Sequence, residues 1–243
     1  MEQVYSRYTP QDQKIWKILF DRQIKLLQHS AAREYLKALR TIGFSDTIPR
    51  YTELNQQLTQ HTGWSIHVVP GLIEVDKFFK LLSQRKFSAS TWLRGIDQLD
   101  YLQEPDMFHD IFGHIPLITN PFYADFMQAF GAMGVKYYQY PQAVKMLQNL
   151  YWYTIEFGLI KENGNTRIYG AGILSSPEET AYSLSDKPKH YPFDLATIFD
   201  TDFYIDRLQE HYFVIESLEQ LFNSIEEMEK MMEERCKAME TRS

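Results

Sequence analysis

The chain has 243 residues, and 25 Lys and Arg against 32 Asp and Glu leave a formal charge of −7. That length can bury a real core without staples and suits one domain, or two small ones. The acidic balance argues against a dedicated nucleic-acid binder, and the single cysteine excludes an internal disulfide, a Cys-based zinc site and an iron–sulfur cluster. No stretch nears the roughly 20 apolar residues of a membrane helix, and Met1–Tyr5 lacks the basic, then apolar start of a secretory signal. The expectation is a soluble, cytoplasmic protein with neither nucleic acid nor membrane as partner.

Residues 11–28 carry Ile15, Trp16, Leu19, Ile24, Leu26 and Leu27 at helical spacing, behind Pro10. Ala31 to Ile42 reads as a second helix stopped by Gly43, and Tyr51 to His61 as a third stopped by Gly63. Trp64 to Val69, closed by Pro70-Gly71, reads as a strand, and Ile73 to Leu82 as a helix. Gln142 to Gly158 predicts one buried, aromatic-rich helix. Asn163-Gly164 between apolar runs predicts a hairpin. Tyr212 onward reads as a final helix. Within it Leu221, Ile225, Met228, Met232 and Met239 keep a 3–4 spacing that Arg235 interrupts. That stripe suits either a short seam between two chains or a helix docked on its own core. The fold class is mostly α with small β-sheet and hairpin elements, and no linker separates two domains.

Two imidazoles, His109 and His114, stand five residues apart in Pro105–His114, with Asp110 beside the first. On an α-helix five residues turn about 140°, so the pair would not share a face. The four-residue spacing of zinc proteases is absent. Gly113 offers a left-handed turn and Pro116 a stop, which would let His114 swing back toward His109. A shared metal is one reading; a hydrogen-bonded pair, or two loop histidines, is the other. Glu156 lies inside the aromatic run Tyr151–Phe157. A buried carboxylate needs a partner, either a metal ion or a buried Arg or Lys. Two His and one carboxylate with open positions is the facial triad of non-haem Fe(II).

Several stretches, in order, resemble one family. They are Thr62–Trp64, Val69–Leu72, Gln98–Asp106, His109–Leu117, Leu150–Leu159, Arg167–Ser176 and Tyr212–Ser217, and the likeness runs from about Tyr8 to Phe222. The family is that of the pterin-dependent aromatic amino acid hydroxylases, and its bacterial phenylalanine-hydroxylating members look most similar. The resemblance implies a catalytic domain over 1–222, without an N-terminal regulatory domain. Residues 223–243 would form a C-terminal helix or tail, possible as an oligomerisation element, in a monomer or homodimer.

It further implies Fe(II) held by His109, His114 and Glu156. The co-reactants would be O2 and tetrahydrobiopterin or another tetrahydropterin. Phe78 would stack on the pterin, Gly71, Leu72 and Val75 would line its edge, Asp110 would reach it through water, and Tyr151 would lie near it. Arg94 would hold the carboxylate of the substrate, L-phenylalanine. Pro105, Trp152, Phe157 and Gly172 would wall the ring pocket. Ser175 and Glu179 would support substrate or ligand. Trp152 stands where tryptophan hydroxylases carry Phe, and Ile205 where tyrosine hydroxylases carry Asp; both point to phenylalanine. Ser88 and Leu102 depart from the animal pattern without removing a ligand. The rivals are a hydroxylase preferring tryptophan or tyrosine, a metal-dependent hydrolase, and a non-catalytic aromatic-ligand binder.

Overall fold

The first three helices end where the sequence marks them. In this computed structural model, which describes residues 1–240 except Tyr101 and Gln103, α1 spans Pro10–Leu27, α2 Arg33–Thr41 and α3 Tyr51–Thr62. Tyr101 and Gln103 of the 98–106 motif, and the end of the tail, thus lie outside the described residues, as does the side chain of Met239. The Thr9 hydroxyl accepts the Asp12 N–H at 3.2 Å while the Asp12 carboxylate accepts the Thr9 N–H at 2.7 Å, a reciprocal cap on α1. Gly43 and Gly63 adopt left-handed φ of 70° and 73° after α2 and α3.

Strand β1 (Ser65–Val68) pairs in parallel with β2 (Lys86–Ala89) across the crossover helix α4 (Val75–Ser83). The segment Phe108–His114 then winds as a π-helix and runs straight into α5 (Ile115–Ile118). This corrects two expectations. Gly113 makes no left-handed turn; it is small because a Cβ there would stand 2.9 Å from the carbonyl oxygen of Ala171. Nor does Pro116 stop the helix, since it falls in the first turn of α5, where a missing N–H costs nothing.

Helix α6 (Pro121–Tyr137) packs against α4, and α7 (Pro141–Tyr151) follows. The helix expected through Gly158 is α-helical only to Tyr151. Trp152–Glu156 is a second π-helical segment, and the Phe157 N–H reaches back five residues to the Trp152 carbonyl at 2.8 Å. The hairpin forms as β3 (Leu159–Glu162) and β4 (Asn165–Ile168), with Asn163 and Gly164 both at positive φ.

The remaining elements are α8 (Ala171–Leu174), α9 (Pro177–Ser183), β5 (Lys189–Pro192), α10 (Leu195–Phe199), β6 (His211–Ile215), α11 (Leu218–Asn223) and α12 (Ile225–Glu240). The sheet order is β4-β3-β6-β5, with β6 parallel to both neighbours. A final helix from Tyr212 is therefore wrong at its start. Tyr212-Phe-Val-Ile215 is a buried strand, and burial on both faces erases the alternation that would have marked it. On α12, Met228 and Met232 are fully buried in the same apolar cluster as Trp16 and Phe112. Arg235, which breaks the stripe, bonds Asp200 through both terminal nitrogens at 2.6 and 2.9 Å. Leu221, Met228 and Met232 of the stripe thus face this chain's own core. Among the described residues no helix is long and apolar enough to cross a membrane.

Candidate metal centre and aromatic cavity

The π-helical winding of Phe108–His114 answers the spacing problem. With hydrogen bonds closing from i to i+5, residues five apart come to one face. His109 Nε2 and His114 Nε2 stand 3.2 Å apart. The second π-helical segment delivers Glu156, with Oε1 3.1 Å from His114 Nε2 and Oε2 3.6 Å from His109 Nε2. All three potential ligand atoms fall within 4.8 Å of one another.

The hydrogen bonds around the histidines set which nitrogen is free. The Ser175 hydroxyl donates its one proton to the Ala171 carbonyl at 2.8 Å, so it accepts from His109 Nδ1–H at 2.9 Å. The His109 Nε2 lone pair then points at Glu156. His114 packs on Phe87 at 4.7 Å, and its Nδ1 is buried with no partner among the described residues. Burial pushes the Glu156 carboxyl up, but His114 and His109 outweigh it and hold the group well below the usual carboxylate range. Burial opposes charge on His109 too, and the Glu156 carboxylate overrides it, so that imidazole is raised. Two imidazole nitrogens and a carboxylate converge with no protein cation between them. That donor set fits a divalent transition ion and leaves positions on one side open.

This cluster floors a cavity of about 830 Å³. Every site residue named from the sequence lines it: Gly71, Leu72, Val75, Phe78, Arg94, Pro105, His109, Asp110, His114, Tyr151, Trp152, Glu156, Phe157, Gly172, Ser175, Glu179 and Ile205. Phe78 stands edge-on to Tyr151 at 5.3 Å. A Cβ on Gly71 would meet nothing within 4 Å, so that backbone borders open space. An exposed aromatic face beside open backbone fits a flat bicyclic ring. Asp110 accepts the Ser90 N–H at 2.8 Å, and burial raises its carboxyl. Leu72 and Ile205, 70% and 76% exposed, mark the rim.

Arg94 is buried, and its Nε and Nη2 each reach Asp106 at 2.8 Å. Asp106 also accepts the His109 N–H at 3.1 Å. One carboxylate thereby ties the guanidinium to the segment bearing the first His, and Nη1 is left without a protein hydrogen bond among the described residues. Burial alone would raise the Asp106 carboxyl, but the bonds from Arg94 lower it. Trp152 lies on Phe203 at 4.3 Å and 14°, and against Phe157 at 4.5 Å. A Cβ on Gly172 would meet the Phe157 ring at 2.9 Å. Glu179 accepts the Tyr212 hydroxyl and the Gln209 backbone N–H, and burial pushes its carboxyl up to about 7.

Sequence reasoning missed Phe87, Phe130, Phe203 and Gln209, which also line the cavity. Phe203 and Gln209 lie in the irregular connection between α10 and β6, where no periodicity flags them. The one hint was a cluster of aromatic and polar residues just before an apolar run.

Comparison with known proteins agrees with this geometry. Residues 3–239 match the model of the biopterin-dependent aromatic amino acid hydroxylase family. Phenylalanine-4-hydroxylase of Ralstonia nicotianae is 50% identical, over 92% of this chain and 72% of its own length. That of Chromobacterium violaceum is 48% identical, over 92% and 76%. Two structures of the latter protein superpose on 93% of this chain and 82% of theirs. The one with bound oxidized Fe(III) gives a TM-score of 0.90 at 47% identity. The one with iron(III) and 7,8-dihydrobiopterin gives 0.89 at 48%. The π-helical His pair, the carboxylate that meets it and the aromatic cavity around them thus belong to a chain that is a member of the biopterin-dependent aromatic amino acid hydroxylase family.

Proposed function

We propose that this chain is an Fe(II)- and tetrahydropterin-dependent monooxygenase that hydroxylates L-phenylalanine to L-tyrosine with O2. The observation that carries the reading is the convergence of His109, His114 and Glu156 at the floor of an aromatic cavity. The relatives that bear the phenylalanine-4-hydroxylase name support the choice of substrate. When bound, iron and the tetrahydropterin together activate O2, one oxygen atom entering the ring hydroxyl and the other being reduced by the two electrons of the pterin.

The chain's own residues bind, orient and exclude water. Ser175 fixes the His109 tautomer that offers Nε2. Arg94, braced by Asp106, takes the substrate carboxylate, and that bracing fixes the distance between carboxylate and metal segment. Trp152, Phe157, Pro105 and Gly172 wall the ring, with Ile205 at the rim. Phe78 would stack on the pterin, the backbone of Gly71, Leu72 and Val75 would line its edge, Asp110 would reach it through water and Tyr151 would lie near it. Holding ring and pterin in one dry cavity converts a three-body encounter into a positioned one. A cytoplasmic location accords with a lone cysteine and Fe(II) chemistry.

The test is reconstitution under anaerobic conditions with Fe(II), followed by air, a tetrahydropterin and, in separate tubes, phenylalanine, tyrosine and tryptophan. Tyrosine from phenylalanine as the fastest reaction is expected, with zinc-loaded protein inert. Faster hydroxylation of tryptophan or tyrosine would reassign the substrate, and turnover with zinc would remove the monooxygenase reading.

A further inference from the structure

Gln209 lines the cavity with its amide oxygen and nitrogen both hydrogen-bonded, and it has no place in the chemistry above. It is buried in the connection between α10 and β6. Its Oε1 accepts the Trp152 indole N–H at 2.9 Å. Its Nε2 donates to the carbonyl oxygens of Tyr204 at 2.9 Å and Arg207 at 3.1 Å. Only this orientation works: a flipped amide would set N–H against indole N–H and oxygen against two carbonyls. The backbone N–H of the same residue bonds Glu179.

The side chain therefore joins two walls that come from distant parts of the sequence. One is the π-helical segment that presents Trp152. The other is the 203–208 connection, whose Phe203 lies flat on the same indole. Residues 203 and 205–208 line the cavity. An indole can turn about the bond to its ring, and a buried N–H left without an acceptor is costly. The Gln209 acceptor selects one indole plane, and its two donors hold the connection in the shape that keeps Phe203 against that plane.

We propose that Gln209 is a positioning residue for the aromatic ring of the substrate, acting through Trp152 and the 203–208 connection to set ring selectivity. The inference rests on the phenylalanine-hydroxylating reading above. It makes selectivity depend on a group that holds the wall in place as much as on the wall itself.

The experiment compares Gln209→Met, Gln209→Glu, Trp152→Phe and the Trp152→Phe/Gln209→Met double variant as iron-loaded enzymes. In Gln209→Met, which gives up all three side-chain hydrogen bonds, the KM for phenylalanine should rise at least about tenfold, with the pterin KM within about twofold and phenylalanine-over-tryptophan selectivity lowered. Gln209→Glu keeps an acceptor facing the indole but sets an oxygen against the Tyr204 and Arg207 carbonyls, so it should raise the phenylalanine KM too while the indole N–H stays bonded. In the Trp152→Phe background, Gln209→Met should raise that KM by clearly less than in the parent, because the indole partner is already gone and only the hold on the 203–208 connection is lost. A general folding defect would instead move both KM values and act equally in both backgrounds.

A second readout needs no turnover. Trp152→Phe identifies the Trp152 indole N–H among the four indole signals of ¹⁵N-labelled protein. That proton should be protected from exchange in the parent and in Gln209→Glu, and lose protection in Gln209→Met. A parent indole proton that exchanges freely overturns the inference even if no Gln209 variant folds. So does a folded Gln209→Met with parent KM and selectivity. A parent protein that makes no tyrosine removes the phenylalanine reading instead; indole protection and phenylalanine binding in the same variants then still decide the role of Gln209.

Discussion

Ser175 settles a question of one proton. Because its hydroxyl is committed to the Ala171 carbonyl, it can only accept from His109, and His109 must offer Nε2 to the metal position. Removing such an outer hydrogen bond commonly costs about 10–100-fold in metal affinity. Ser175→Ala should therefore bind Fe(II) weaker by that order in a chelator competition, with its fold intact by circular dichroism; unchanged affinity would contradict the tautomer argument. Glu179 carries the clearest dependence on pH. Burial raises its carboxyl from 4.5 to about 7, so the folded chain holds that proton more tightly than the unfolded one. The stability this group contributes is complete below about pH 4.5 and is lost as pH rises through about 7. Glu179→Gln has no such loss and should gain about 3 kcal/mol on the parent between pH 4.5 and 8 in urea melts. Parallel stability curves for the two proteins would show that Glu179 stays ionised throughout. At this scale much was legible. The ligand residues and the cavity residues named from the motifs come together around one space. Gln209 was not, because its role lies in hydrogen bonds to an indole 57 residues away and to two carbonyls.

The two π-helical segments are the elements that make the site. From the sequence the second reads as part of one long helix and the first as a helix end turned back at Gly113, since π winding leaves no periodic signature in a stretch of five or seven residues. Both pack against α8, and Gly170, just before it, is one of the close approaches. A Cβ there would lie 2.4 Å from both the Glu156 carbonyl oxygen and the Gly158 nitrogen. Those are backbone atoms and cannot rotate away. Gly170→Ala should thus cost about 1–3 kcal/mol of stability and displace the end of the segment that carries Glu156. Iron content measured after gel filtration should fall well below one per chain, whereas a stable variant with full iron would show that the segment relaxes without moving its carboxylate. The helices with strong caps were legible to within a few residues, as the Thr9–Asp12 box and the glycines after α2 and α3 illustrate. Strand β6 was not, because both of its faces are buried, which removes the pattern that separates strand from helix.

Across the whole molecule, one apolar cluster runs from Ile15 on α1 to Cys236 on α12 and surrounds the segments that carry His109, His114 and Glu156. The methionine stripe of α12 illustrates what sequence leaves open. Its spacing suited a partner chain or the chain's own core, and only the packing of Met228 and Met232 against that core distinguishes them. The cluster holds α4, α6 and the π-helical segments around a cavity whose floor is polar and whose walls are aromatic, which is the arrangement oxygen chemistry on a ring requires. The central claim is that the metal cluster directs an oxygen atom from O2 onto that ring. The most direct measurement supplies ¹⁸O2 to the Fe(II)-loaded protein with a tetrahydropterin and phenylalanine, and weighs the tyrosine formed. One ¹⁸O in each tyrosine hydroxyl is the predicted result; tyrosine carrying oxygen from water, or no tyrosine from fully iron-loaded protein, would contradict the account.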